Sequence, residues 1–367
     1  MLPNSPLPTR RSFLATVAAG AALAAAPQFA AGAGEGSKKI KLGYDNFAVR
    51  AMNWKAAQLI DYAVKLNVDS LLISDLDAFE SFEPKYLAEV KAQADDHDLD
   101  LHVGTWSICP TSKSFKDKWG TAEEHLRTGI RVAKSLGSPV IRVVLGNRSD
   151  RLTEGGIEAR IADTVKVCQA CRNAAIDAGV IIAVENHAGD MRSEELVTLI
   201  EAAGKDYVGA NVDNGNAVWT MEDPLDNLNK LGPYAATSSL RDTSVWETAS
   251  GADIQWRAMG EGTIDQKAYF ARYAELCPQV PVHIETISGF NLGVPFLQDD
   301  FWKAYPKLTA ADFAKFLKLA KGNKPVDTWK RPPGDAKLAE QEYQRGELER
   351  SLKYCRETLG LGVKSTL

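Results

Sequence analysis

Eight short runs rich in β-branched residues alternate along this 367-residue chain with longer stretches of helical period. The runs cover 40–44, 70–74, 99–104, 140–145, 181–185, 208–213, 235–241 and 280–285, and helical patterns fill 54–66, 84–97, 121–136, 157–178, 193–203, 224–231 and 265–276. A strand that returns through a helix to another strand must lie parallel to it, so the alternation demands a parallel sheet covered by helices. Eight repeats are the number that closes a (β/α)8 barrel. The open doubly wound sheet is the rival, but no G-x-G-x-x-G follows the first run. Beyond the last run, 312–319 reads as the eighth helix, 322–334 as a loop, and 336–359 as a long charged helix. That last helix is expected to pack as an extension on the barrel wall or on a second copy of the chain in a homo-oligomer.

Helix punctuation agrees with this frame. Thr121-Ala122-Glu123-Glu124 reads as a capping box, Ser193-Glu194-Glu195 as a capped acidic first turn, and Gly137, Gly179 and Gly204 fall where helices should stop. The first 33 residues stand outside the frame. Arg10 and Arg11 precede an apolar run from Phe13 to Ala26 and a small-residue exit at Ala31-Gly32-Ala33, which resembles a twin-arginine export signal. Its 14 residues fall short of the roughly 20 a spanning helix needs, so no stable membrane anchor is expected. The resemblance implies a partner, the twin-arginine translocation machinery, and a periplasmic or secreted protein exported folded. The division expected is a signal over 1–33, a barrel over 38–320, and a loop with a C-terminal helix over 321–367. Cys109, Cys168, Cys171, Cys277 and Cys355 do not space as a disulfide framework, and Cys168-x-x-Cys171 sits within a helical pattern as a buried face.

In such a barrel the strands' C-terminal ends build the active site. Here they are acidic: Val184-Glu185-Asn186-His187, Val212-Asp213-Asn214-Gly215-Asn216, Leu240-Arg241-Asp242 and His283-Ile284-Glu285. Four carboxylates brought to one mouth repel unless a cation or shared protons hold them, and a hard divalent metal such as Mn or Mg is the economical answer. Acidic residues outnumber basic ones 48 to 43, which disfavours nucleic acid as a partner, and five histidines are too few for a multi-metal nuclease centre.

These strand ends, with Lys41-Leu42-Gly43-Tyr44, Ala133-Lys134-Ser135-Leu136-Gly137 and the loop from Met259 to Asp265, make the chain similar to the xylose isomerase-like TIM barrels of sugar isomerases and epimerases. The resemblance implies a metal held by Glu185, Asp213 and Glu285 plus a histidine from strand seven. That histidine is missing: Ser239-Leu240-Arg241-Asp242 stands where His-x-Lys-Asp is common. Two resolutions are open. His283 or His187 can bring an imidazole from another strand end, or Arg241 can take over part of the metal's electrostatic work.

The activity implied is removal of a proton next to a carbonyl of a non-phosphorylated sugar, through an enediolate, with Glu185 and Glu285 as base and acid. His187, Asn216, Arg241 and His283 are candidate substrate contacts, and His102 and Trp106 form either an aromatic wall for a sugar ring or part of the core. A lyase that opens a 3-keto-glycoside by β-elimination is the second enzyme reading, and a barrel that binds sugar without turnover is the reading of another class.

Overall fold

The computed structural model describes residues 39–364. The export-signal motif and the first 38 residues lie outside them. Eight parallel strands form one sheet: β1 (Leu42–Asp45), β2 (Ser70–Ile73), β3 (Asp100–Ser107), β4 (Val140–Val144), β5 (Ile181–Glu185), β6 (Val208–Val212), β7 (Ala235–Ser238) and, in chain order, β10 (Val282–Ile284). β10 pairs with β1, with Leu42 opposite Val282. The remaining gap is bridged just beyond β7, where the Leu240 amide donates to the His283 carbonyl at 2.7 Å and the Glu285 amide donates to the Leu240 carbonyl at 2.9 Å. The ring is therefore a nearly closed (β/α)8 TIM barrel. Strands β1, β2, β4 and β6 are buried at every position, because helices cover their outer faces and side chains fill the interior.

The wall helices follow the expected order: α1 (Ala56–Lys65), α2 (Pro84–Asp95), α3 (Ala122–Leu136), α4 (Gly156–Ala170), α5 (Arg172–Ala178), α6 (Ser193–Ala203), α7 (Asn214–Trp219), α8 (Pro224–Leu231) and α9 (Gln266–Leu276). The Thr121–Glu124 capping box forms with both bonds. The single helix read over 157–178 breaks in two at Cys171, whose φ of −100° and ψ of 1° leave the helical range. Cys168 and Cys171 are both buried, and all five cysteines are free.

Two features depart from the bare repeat. The chain after Arg241 does not turn directly into a wall helix but runs through an antiparallel pair, β8 (Asp242–Thr248) and β9 (Gly251–Arg257), joined by β11 (Leu292–Val294). Its apolar face, including Val245, Ile254 and Val294, packs with Phe301 and with Phe316 of α10 (Ala310–Ala320) in a core separate from the barrel's. The helix expected to be the eighth of the wall thus serves this small sheet. Leu348, Leu352 and Cys355 of α11 (Ala336–Glu357) instead join the main core, and the helix runs against β1, β10 and the 3-10 turn Asn46–Met52. The long last helix covers the wall at β10 and β1, with Leu348, Leu352 and Cys355 buried against it. Among the described residues no helix is long and apolar enough to cross a membrane.

Candidate active site

Glu185 ends β5, Asp213 follows β6 and Glu285 follows β10, so the register of three parallel strands delivers three carboxylates to one end of the barrel. Each offers an oxygen within 4.8 Å of the others, and all three are buried. Glu185 is the most constrained. Its Oε2 accepts from Arg142 Nε at 2.6 Å and from Asn211 Nδ2 at 2.7 Å, and its Oε1 accepts from Asn216 Nδ2 at 3.3 Å. Asp213 caps α7, taking the Asn216 amide at 2.8 Å on Oδ1 and the Asn216 side chain at 2.7 Å on Oδ2. Among the described residues the Glu285 side chain bonds to Arg241 alone.

Arg241 joins the group together. One nitrogen, Nη2, donates to both Asp213 and Glu285, and the guanidinium lies 4.5 Å from the Trp256 ring centre. Nε and Nη1 are buried and have no partner among the described residues. Burial pushes Asp213 and Glu285 up from the ordinary carboxylate range, against the pull of Arg241.

The fourth carboxylate expected here, Asp242, is turned away. It accepts from the Gly260 and Gly262 amides at 3.0 Å each and pins the loop ahead of α9. One residue past Arg241 on an extended chain, it must point to the opposite side. A different acid takes its place: Asp45, at the end of β1, fully buried and bonded by Ser74 Oγ at 2.6 Å and Ser239 Oγ at 3.2 Å. Burial, with the negative charge of Glu285 nearby, raises Asp45 to about 7. Asp45 was legible by the same strand-end rule. Arg142, the one charge inside the β4 run Val140-Ile141-Arg142-Val143-Val144, was marked by its surroundings.

A cavity of about 210 Å³ opens over this group, with Trp106, His187, Asn216, Arg241 and Trp256 among its lining residues. Trp106 stacks on Phe47 with ring centres 6.1 Å apart and meets the edge of His187 at 5.3 Å. His187 Nδ1 donates to the Gly146 carbonyl at 2.7 Å, and burial beside Arg142 lowers the ring to about 4, so it is neutral at physiological pH. His102 and His283 do not line the cavity. They lie within the barrel, ring centres 4.9 Å apart, with His102 Nδ1 at 2.9 Å from Thr237 Oγ1 and His283 Nε2 at 2.8 Å from Ser70 Oγ. Their strand positions face the interior as alternation requires, but below the carboxylates. Neither imidazole replaces the missing strand-seven histidine.

The barrel fold recurs in proteins that differ widely in sequence. A family model described as xylose isomerase-like TIM barrel matches residues 60–289. A curated relative, the uncharacterized protein YihM of Escherichia coli (strain K12), is 22% identical over 216 residues, 58% of this chain; the alignment spans only 60% of that relative. Among solved structures, a D-psicose 3-epimerase in the presence of D-fructose superposes with a TM-score of 0.56 at 15% identity, covering 88% of this chain and all of that one. An L-ribulose 3-epimerase gives 0.55 at 15% identity over 88% of this chain and 97% of its own. The IOLI protein with a binding zinc atom gives 0.53 at 15% identity over 76% and 96%. The match along most of the barrel establishes that the chain belongs to the xylose isomerase-like TIM barrel family.

Proposed function

We propose that this protein is a sugar isomerase or epimerase that moves a proton next to a carbonyl through an enediolate. The observation that carries the reading is the pairing of Glu185 and Glu285 at the floor of a cavity walled by Trp106, Trp256 and His187. Stacked aromatic faces suit the C–H face of a sugar ring, and 210 Å³ suits a single ring. Glu285, held by one partner, is the freer base. Glu185, fixed by three donors at the end of β5, stands across the mouth from it and, when protonated, delivers the proton to carbon. Neutral His187 and the Asn216 amide are placed to bind hydroxyls. Sugar epimerases among the structural neighbours support the substrate class.

The metal that the family resemblance implies would be held by Glu185, Asp213 and Glu285 and would polarise the substrate's oxygens. The carboxylate trio is in place, but the donor set around it does not fit a cation shared by all three. Arg241 Nη2 already joins two of them, and Ser239 turns its hydroxyl to Asp45. No step here depends on the metal.

The test is solvent deuterium incorporation into a panel of neutral keto- and aldo-sugars. Exchange at a single carbon is expected, falling by about 10³-fold or more in Glu285→Gln and Glu185→Gln while sugar binding persists. Binding without exchange in the unaltered protein would instead identify a sugar-binding barrel. A second reading, β-elimination from a 3-keto-glycoside, is favoured by a neighbouring cavity of about 650 Å³ that shares Phe47 with the first and includes Trp54 and Trp119. It leaves room for a departing group, and release of that group from a 3-keto-glycoside separates the two reactions. Export is a further proposal from Arg10 and Arg11: changing both to Lys should hold the protein in the cytoplasm.

A further inference from the structure

We propose that Arg241 occupies the metal's place in this barrel, its guanidinium serving as the cation that holds Asp213 and Glu285 together and as the electrophile for the substrate's carbonyl oxygen. This deepens the isomerase reading and rests on it. The first observation is the position of the charge. Nη2 bonds both carboxylates, so an ion sharing oxygens with Glu185, Asp213 and Glu285 must displace it.

The second observation is that the arginine's path is built into the chain. Gly215 lies against the side chain: a Cβ there would stand 2.6 Å from Arg241 Cδ, 2.7 Å from Cγ and 3.0 Å from Nε. Trp256 covers the guanidinium and is itself pinned by its Nε1, which donates to the Gly215 carbonyl at 3.0 Å. The Arg241 amide donates to Asn214 Oδ1 at 3.0 Å, fixing the backbone from which the side chain leaves. Asparagine and glycine from one segment and tryptophan from another thus hold one guanidinium.

The third observation is what remains unpaired. Arg241 is 1% exposed, yet Nε and Nη1 have no acceptor among the described residues, although buried guanidinium donors are rarely left without one. Oxygens of an α-hydroxy ketone in the cavity would accept from them. In the step proposed, a C–H proton passes to a Glu carboxylate and the C–H pair becomes the C=C bond. The carbonyl π pair moves onto oxygen, where the guanidinium N–H groups meet the new negative charge. Delivery of a proton from the carboxyl group of the other Glu to the opposite face of that carbon turns the C=C pair into a new C–H bond and returns the oxygen pair to C=O, giving the epimer.

Mn²⁺ titration of the full chain, followed by electron paramagnetic resonance, tests this without knowledge of the substrate. The unaltered protein should purify with well under one metal per chain and bind Mn²⁺ poorly. Arg241→Ala, which opens the space between the carboxylates, should bind it at least about tenfold more tightly. Arg241→Lys, which keeps a charge in the same place, should still exclude Mn²⁺ and serves if the alanine variant fails to fold. One tightly bound Mn²⁺ per chain in the unaltered protein would overturn the proposal. So would sugar exchange that a chelator abolishes and Mn²⁺ restores, although the isomerase reading would then survive. Mn²⁺ exclusion with no exchange on any sugar would leave the arginine's place intact and remove the isomerase reading instead.

Discussion

Arg142 and Glu185 are both withdrawn from water inside the barrel, and their side chains meet at 2.6 Å. Taking two ions out of water costs more than their attraction returns unless every remaining donor is satisfied, so such a pair is kept for a purpose other than stability. Here it holds the Glu185 carboxylate in one orientation under the cavity. Replacing Arg142 by Met leaves Glu185 buried without its counter-ion and should destabilise the fold by about 3–5 kcal/mol, read as a shift in urea midpoint. A change near zero would mean that Asn211 and Asn216 suffice. Gly215→Ala probes the neighbouring cation. The added methyl must push the Arg241 side chain aside, so turnover should fall about tenfold or more with sugar affinity less affected. At this scale Glu185, Asp213 and Glu285 were readable because each closes an apolar run, where a structural acid is rare. Asn211 was not readable: an asparagine inside a strand advertises nothing until Glu185 is known to sit beside it.

The elements that most change the site are those outside the simple repeat. The segment Thr243-Ser244-Val245-Trp246-Glu247-Thr248, then Ser250-Gly251, then Ala252-Asp253-Ile254-Gln255-Trp256 alternates with period two around a turn. That pattern is a hairpin signal, and it was hidden by the expectation that a strand end leads straight to a helix. The hairpin matters because it carries Trp256 over Arg241, and Trp219 and Phe290 meet that ring edge-on at 5.8 and 6.0 Å. The last helix was seen in the sequence but not its place, since an interrupted stripe on a charged helix does not say which surface it covers. The structure distinguishes residues within that stripe. Leu348 is fully buried in the barrel core, whereas Leu338 is 50% exposed. Leu348→Ala should therefore cost about 2–5 kcal/mol, and Leu338→Ser should stay within about 0.5 kcal/mol. Equal effects in thermal or urea unfolding would show that the helix does not complete the wall.

Taken whole, the molecule is a barrel whose interior grows polar toward the site, from the His102–His283 contact up to Arg142 and the carboxylates. This gives stability a pH dependence of mixed sign. Burial lowers His102, and His125 on the inner side of α3 with Nε2 2.6 Å from Thr105 Oγ1, to about 4 from 6.5, so between these values the unfolded chain takes up protons that the folded one refuses, and stability falls as pH drops through that window. Asp45 works the other way. Raised to about 7 from 3.8, it holds a proton in the folded state that the unfolded chain has lost, so its contribution to stability falls as pH rises from 4 to 7. Single variants separate the two. Relative to the unaltered protein, His125→Gln should lose more stability at pH 7.5 than at pH 4.5, because only at the lower pH is the native histidine a liability. Asp45→Asn should show the reverse, doing relatively better at pH 7.5, where it removes a buried charge. Urea midpoints at the two pH values give both differences. A pH-independent cost for either substitution would mean that the residue keeps its ordinary protonation in the folded protein.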